Sequence, residues 1–216
     1  MSSLPTLSRR ESVKREKRRR IIASARRVFT AEGFERATTQ EIARLARIAT
    51  GTLFLYARDK RELLLMVFND ELESITDASI ATDEASASLL DQLVAFYRPR
   101  FEFWVQDVPL ARIVTAEVYA SRGPAEVGVE LARVVARQQR MVSELERKVA
   151  AYARDQGAEL AAPAATIASG IHYLYVGELR VWLSGPQPSV DAAVANLTRF
   201  WTLFLHGIFR APTKTP

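Results

Sequence analysis

An all-α protein of about nine helices is what this sequence predicts, and three observations predict it. Almost every segment between helix breakers repeats its apolar residues at three- and four-residue spacing. No pair of alternating runs is joined by a hairpin turn. The one run rich in β-formers, 172–183, lies inside a longer pattern bounded by Pro163 and Gly185-Pro186, so its length favours helix. With 216 residues, 48% of them hydrophobic, the chain can bury a real core.

The first helix is expected over 14–32, with Ile21, Ile22, Ala25, Val28 and Phe29 as its inward stripe. Gly33 ends it, because glycine tolerates the left-handed cap. The second starts at Thr38, where Thr38-Thr39-Gln40-Glu41 fits a capping box, and closes near Ala46. A third covers 50–56. A fourth opens at Asp59, with Glu62 completing another box and Leu63, Leu64, Val67, Phe68 and Leu72 packing inward. Residues 74–88, small and polar, are the weakest segment. Further helices are expected over 88–106 (bent at Pro99), 110–121, 125–156, 163–184 and 189–210.

The formal charge of +5 hides an asymmetry. Residues 1–60 hold 15 Lys/Arg against 6 Asp/Glu, giving +9, whereas residues 61–216 hold 15 against 19, giving −4. A polyanion-binding part belongs at the front. With no cysteine there is no disulfide, thiol nucleophile or thiolate metal site, which suits a reducing cytoplasm. Only two histidines, His172 and His206, are available, and neither has a Glu three residues before it. No Gly-x-Ser-x-Gly motif or Gly-rich phosphate loop occurs. No metal, cofactor or enzymatic activity is therefore expected. The most apolar segment, 200–209, is about half a bilayer span and contains His206, so no membrane crossing is expected.

Residues 38–60 read Thr-Thr-Gln-Glu-Ile-Ala-Arg-Leu-Ala-Arg-Ile-Ala-Thr-Gly-Thr-Leu-Phe-Leu-Tyr-Ala-Arg-Asp-Lys. Two short helices joined by a three-residue turn make a helix-turn-helix. Ile42, Leu45, Ile48 and Leu53 bury against the first helix and so turn the outer face of 50–56 toward a major groove. Gly51 inside so short a helix costs about 1 kcal/mol relative to Ala, a penalty explained either by close approach to DNA or by tight helix packing. The arm 9–20 carries eight basic and two acidic residues; it lies along phosphates or is a solvated leader.

On these residues the sequence resembles the tetracycline-repressor (TetR) family. The matching positions are Thr38-Thr39, Ile42-Ala43, Gly51-Thr52-Leu53-Phe54 and Lys60 with Leu63. The resemblance covers 22–68 and implies a DNA-facing set of Thr38, Thr39, Gln40, Ala49, Thr50, Gly51, Thr52, Phe54, Tyr56 and Lys60. Thr39 would bond a phosphate, and Thr50, Gly51 and Thr52 would face base edges. Phe54 and Tyr56 would line the groove wall, Tyr56 on a phosphate, and Lys60 would grip the backbone. Three positions depart from the family's pattern: Arg47 stands where Gly is usual, Ala49 where Ser is usual and Ala57 where an aromatic is usual. Arg47 must then take an uncommon backbone angle or the turn must differ, and Ala49 has no hydroxyl for a cap.

The implied organisation is a basic arm (1–13), a three-helix helix-turn-helix DNA-binding domain (14–60), a helical ligand-binding and dimerisation domain (61–210) and a tail (211–216). Ile171, Leu174, Tyr175, Val194, Leu197, Trp201 and Phe204 form an apolar two-helix face expected to pair with its own copy; burial within the monomer is the alternative. Tyr97, Phe101, Trp104, Glu117, His172 and Tyr173 are candidate pocket residues for a small-molecule effector, unless the aromatic stripe is plain core. The resulting expectation is a cytoplasmic repressor that binds a palindromic duplex operator as a homodimer and is released by an effector. Its alternative is a basic amphipathic membrane-associated or scaffold protein, with an enzyme ranked behind both.

Overall fold

The structure, a computed structural model, describes residues 9–82, 88–119 and 128–210. Among these residues nine α-helices follow one another: α1 (Arg9–Arg36), α2 (Thr39–Leu45), α3 (Thr50–Leu53), α4 (Lys60–Ala81), α5 (Leu89–Trp104), α6 (Val108–Val118), α7 (Val129–Asp155), α8 (Ala164–Ser184) and α9 (Val190–Ile208). One turn of 3-10 helix, Val105–Asp107, joins α5 to α6. The expected all-α class holds, and 172–183 is helical as its length argued. A two-residue antiparallel pair, Glu159–Leu160 with Phe209–Arg210, is an addition that no alternating pattern signalled. The first eight residues of the arm, the expected helix ends at 121 and 125 and the tail 211–216 lie outside the described residues.

The chain divides into two compact units, the first running to Asp70 and taking in Ala116–Ala132, the second comprising Glu71–Thr115 and the chain from Arg133 onward. Helices α4, α6 and α7 contribute residues to both. In the first unit α1 starts at Arg9, earlier than its apolar stripe suggested. Its regular turns break at Gly33, whose φ of 76° lies in the left-handed region that glycine accepts at low cost. Helices α1 and α4 run antiparallel: Lys60 Nζ donates to the carbonyls of Glu35 and Ala37 (3.0 and 3.2 Å), Arg26 Nη2 donates to Val67 O (3.2 Å), and Arg18 pairs with Asp70.

The start of α7 belongs to the same unit and is held by a buried polar knot. Glu62 Oε1 accepts from Glu130 N at 3.0 Å, so a side chain from the first turn of α4 caps α7. Gly128 leaves the room for it, since a Cβ there would lie 2.0 Å from Glu62 Oε1. Asn69 Nδ2 donates to Glu130 O (2.9 Å) and Oε2 (2.8 Å), and Arg18 Nη2 donates to Glu130 Oε1 (3.2 Å). Asp59 caps α4 as expected, accepting from Glu62 N at 2.8 Å, but the Glu62 carboxylate caps α7 instead of returning the bond.

In the second unit α4 continues to Ala81 through the stretch expected to be weak. The hydroxyls of Thr76, Ser79 and Thr82 donate to the carbonyls four residues back, so they follow the helix instead of competing with it. Arg140 of α7 clasps Glu73 and Asp77 on the outside. The core is aromatic: Tyr97 packs on Tyr175 (centroids 4.4 Å) and Trp201 (5.4 Å), and Phe101 meets Trp182 edge-on (5.1 Å). Helices α8 and α9 pack closely at Gly170, where a Cβ would lie 2.6 Å from Phe204 Cζ.

Candidate nucleic-acid interface

Helix α2 is launched by Thr38, whose Oγ1 accepts from Glu41 N at 3.2 Å. The expected reciprocal half of the box is absent, because the Glu41 carboxylate accepts both Arg44 Nε and Nη2 (2.8 and 2.6 Å), which holds its pKa below the usual carboxylate value. At the other end Ile48 N bonds Ala43 O and Arg47 N bonds Arg44 O, both at 3.1 Å. This pattern is a Schellman cap with Arg47 in the left-handed position, φ 54°. Arginine thus takes the angle for which glycine is favoured, and the chain turns sharply enough to start α3 at Thr50. Ala49 is the N-cap of α3 and supplies no side-chain bond, as its missing hydroxyl required.

Ile42, Ala43 and Leu53 are fully buried, which anchors α2 and α3 and leaves their other side open. Gln40, Ala49 and Gly51 are exposed, and Thr39, Thr50, Thr52 and Tyr56 are half-buried. Nothing lies within 4 Å of where a Gly51 Cβ would stand. Tight packing within the first unit therefore does not explain this glycine. Helix α3 is only four residues long, and the expected stretch to Tyr56 continues as a turn that leaves Phe54 47% and Leu55 83% exposed. Leu55 was not singled out from the sequence. The signal was there: Leu53 and Leu55 are two residues apart, so when one is buried in a helical turn the other points away. Exposed Arg58 was also passed over, and Arg47, likewise exposed, was singled out for its backbone angle alone. Two donors of the Lys60 ammonium go to the end of α1, and its charge sits 4.6 Å from the centre of the Phe34 ring.

This geometry lies within the segment that matches a family model: residues 21–67 fit the model for bacterial regulatory proteins, tetR family. An HTH-type transcriptional repressor of Mycobacterium tuberculosis is 26% identical over 181 residues, covering 84% of this chain and 90% of its own. The likeness to the tetR family is thus carried by residues 21–67. Solved TetR-type regulators share the fold at low identity. Thermus thermophilus FadR in complex with lauroyl-CoA superposes with a TM-score of 0.67 at 19% identity, over 92% of this chain and 98% of that one. Bacillus subtilis FadR in complex with stearoyl-CoA gives 0.66 at 18% identity, over 88% and 98%.

The structure sorts the expected pocket and pairing residues. Tyr97, Phe101, Trp104 and His172 are buried together, with Tyr97 Oη and His172 Nδ1 3.0 Å apart. Burial, reinforced by the Arg100 charge, lowers the His172 pKa to about 4. Tyr173, by contrast, is 71% exposed. Glu117 belongs to the first unit, where it pairs with Arg61 at 3.3 Å. A cavity of about 320 Å³ lies elsewhere, lined among others by Leu89, Tyr152, Leu205 and His206. Of the expected pairing face, Ile171, Tyr175, Leu197 and Trp201 are consumed by the unit's own core, whereas Leu174, Val194 and Phe204 are half-buried. The open apolar surface of α8 and α9 is Tyr173, Val181, Phe200 and Leu203.

Proposed function

We propose that this chain is a cytoplasmic transcriptional repressor of the TetR kind that grips a palindromic operator as a homodimer and lets go when a small molecule binds its C-terminal unit. The observation that carries the reading is the bare outer face of α3: a glycine that its surroundings do not require, set behind a sharp turn and flanked by exposed arginines. Thr50, Gly51 and Thr52 would meet base edges, with Phe54 and Tyr56 along the groove wall and Thr38, Thr39, Gln40 and Ala49 at its rim. Arg47, Arg58 and the remaining donor of Lys60 would bond phosphates. A reader this short gains specificity by duplication, and the open apolar strip on α8 and α9 offers the second copy a place to dock. Effector response is supported by the acyl-CoA complexes of the FadR proteins that share the fold. Binding in the second unit would bias α4 and thereby change the separation of the two readers.

Selection of bound duplexes from a random pool tests the whole reading. The expected product is an inverted repeat whose half-sites lie about one helical turn or a multiple apart. Failure to retain any duplex at low ionic strength overturns it.

A further inference from the structure

Arg100, on the inner face of α5, is 2% exposed, yet among the described residues no carboxylate pairs with it. Nη1 donates to Ser79 Oγ (3.3 Å) and to Phe96 O, and Nη2 donates to Thr76 Oγ1 (3.1 Å). Both hydroxyl protons are already committed to carbonyls of α4, so each presents only lone pairs to the cation. The guanidinium also lies over the rings of Phe96 (4.5 Å) and Tyr97 (5.6 Å). The remaining donors, Nε–H and the second Nη2 N–H, have no acceptor among the described residues, and these two share the edge that engages a carboxylate side-on.

The charge around this edge is unbalanced. Arg137 is buried close enough to Arg100 for the two cations to repel, and its carboxylate, Glu73 at 3.6 Å, is shared with Arg140. His172 is neutral at ordinary pH and supplies no counter-charge. Desolvation pushes the Arg100 pKa down, which measures how poorly this interior tolerates the cation by itself. An isolated buried charge is expensive, and the expense is relieved when an anion arrives with a ligand.

We propose that the Nε/Nη2 edge of Arg100 is the seat of a ligand carboxylate, and that the effector is an organic acid. This rests on the reading of the second unit as the effector-sensing one. A compact monoanion fits two parallel donors; a CoA thioester has no free carboxylate to place there.

Full-length protein and its Arg100→Met and Arg100→Lys variants are to be melted with straight-chain acids of four to sixteen carbons and with aryl acids. Each acid is compared with its methyl ester, and octanoyl-CoA is run alongside. The expected result is that at least one acid raises Tm more than its ester does, that its Kd weakens roughly 30-fold or more in Arg100→Met and partly in Arg100→Lys, and that Arg100→Met without ligand melts no lower than the wild type. Should Arg100→Met fail to fold, the Arg100→Lys comparison gives the answer. Equal shifts from acids and esters, no shift from any acid, a shift undiminished in the variants, or a response to octanoyl-CoA alone each overturn the proposal. The melts contain no DNA, so a wild type that ignores duplexes but responds to acids counts against the regulator reading only.

Discussion

Gly51 and His172 are the two residues whose surroundings say most about their use. Open space beside Gly51 means that Gly51→Ala adds a methyl without a clash and improves helix propensity by up to about 1 kcal/mol. The expected outcome is an unchanged or higher Tm together with weaker operator binding, measured by thermal melts and by anisotropy of a labelled duplex. His172 gives a pH dependence of definite sign. Its folded pKa of about 4 lies below the ordinary 6.5, so between those values the unfolded chain holds the extra proton. Stability contributed by the neutral ring is full above about pH 6.5 and is lost as the pH falls toward 4, by at most about 3 kcal/mol. His172→Gln should flatten the fall in Tm across that window. The open surroundings of Gly51 and the left-handed angle at Arg47 each match one of the two readings the sequence left open, the second of them drawn from the family resemblance. The Lys60 contacts were not legible in the sequence, since their carbonyl partners lie 25 and 23 positions away.

Elements were readable where capping and periodicity agreed. The start of α2 at Thr38, the break at Gly33 and the start of α4 after Asp59 stand where short-range chemistry put them. The length of α3 was overestimated because a four-residue helix has too few positions to show a period. The fate of Glu62 lay beyond short-range reasoning altogether, because its partner is 68 residues away. That distant cap can be tested. Glu62→Ala removes the acceptor at the start of α7 and should cost about 1–2 kcal/mol, with faster amide exchange confined first to residues 129–132. Unchanged exchange there would mean that the cap contributes nothing. Antiparallel pairing of α1 with α4 has a further consequence. Arg18 meets Asp70 while Lys60 meets the end of α1, so the basic turns ahead of Arg18 lie more than about 25 Å along the helix from the Lys60 end.

For the whole molecule, which apolar side chains stay open for the proposed pairing of copies is what the sequence described least well. The stripe on α8 and α9 was correctly found to be apolar, but periodicity cannot tell which side of a helix buried on two sides faces its own core. Trp201 and Tyr175 went inward, and Leu203, 74% exposed, stayed out. Leu203→Asp should therefore leave the protomer's fold intact while shifting sedimentation toward the monomer and weakening operator binding together with it. A variant that remains dimeric would place the contact between copies on another surface.

The close approach of Phe204 to the backbone at Gly170 makes α8 and α9 a single mechanical part with no slack. One added methyl, Gly170→Ala, becomes a wedge between the two helices that carry the open apolar strip. With the chain acting as the proposed repressor, a genetic screen for constitutive expression of the controlled genes should return lesions at this silent-looking position beside those in α3. They should be rescued by lower growth temperature, as assembly defects are, whereas lesions at Gly51 should not.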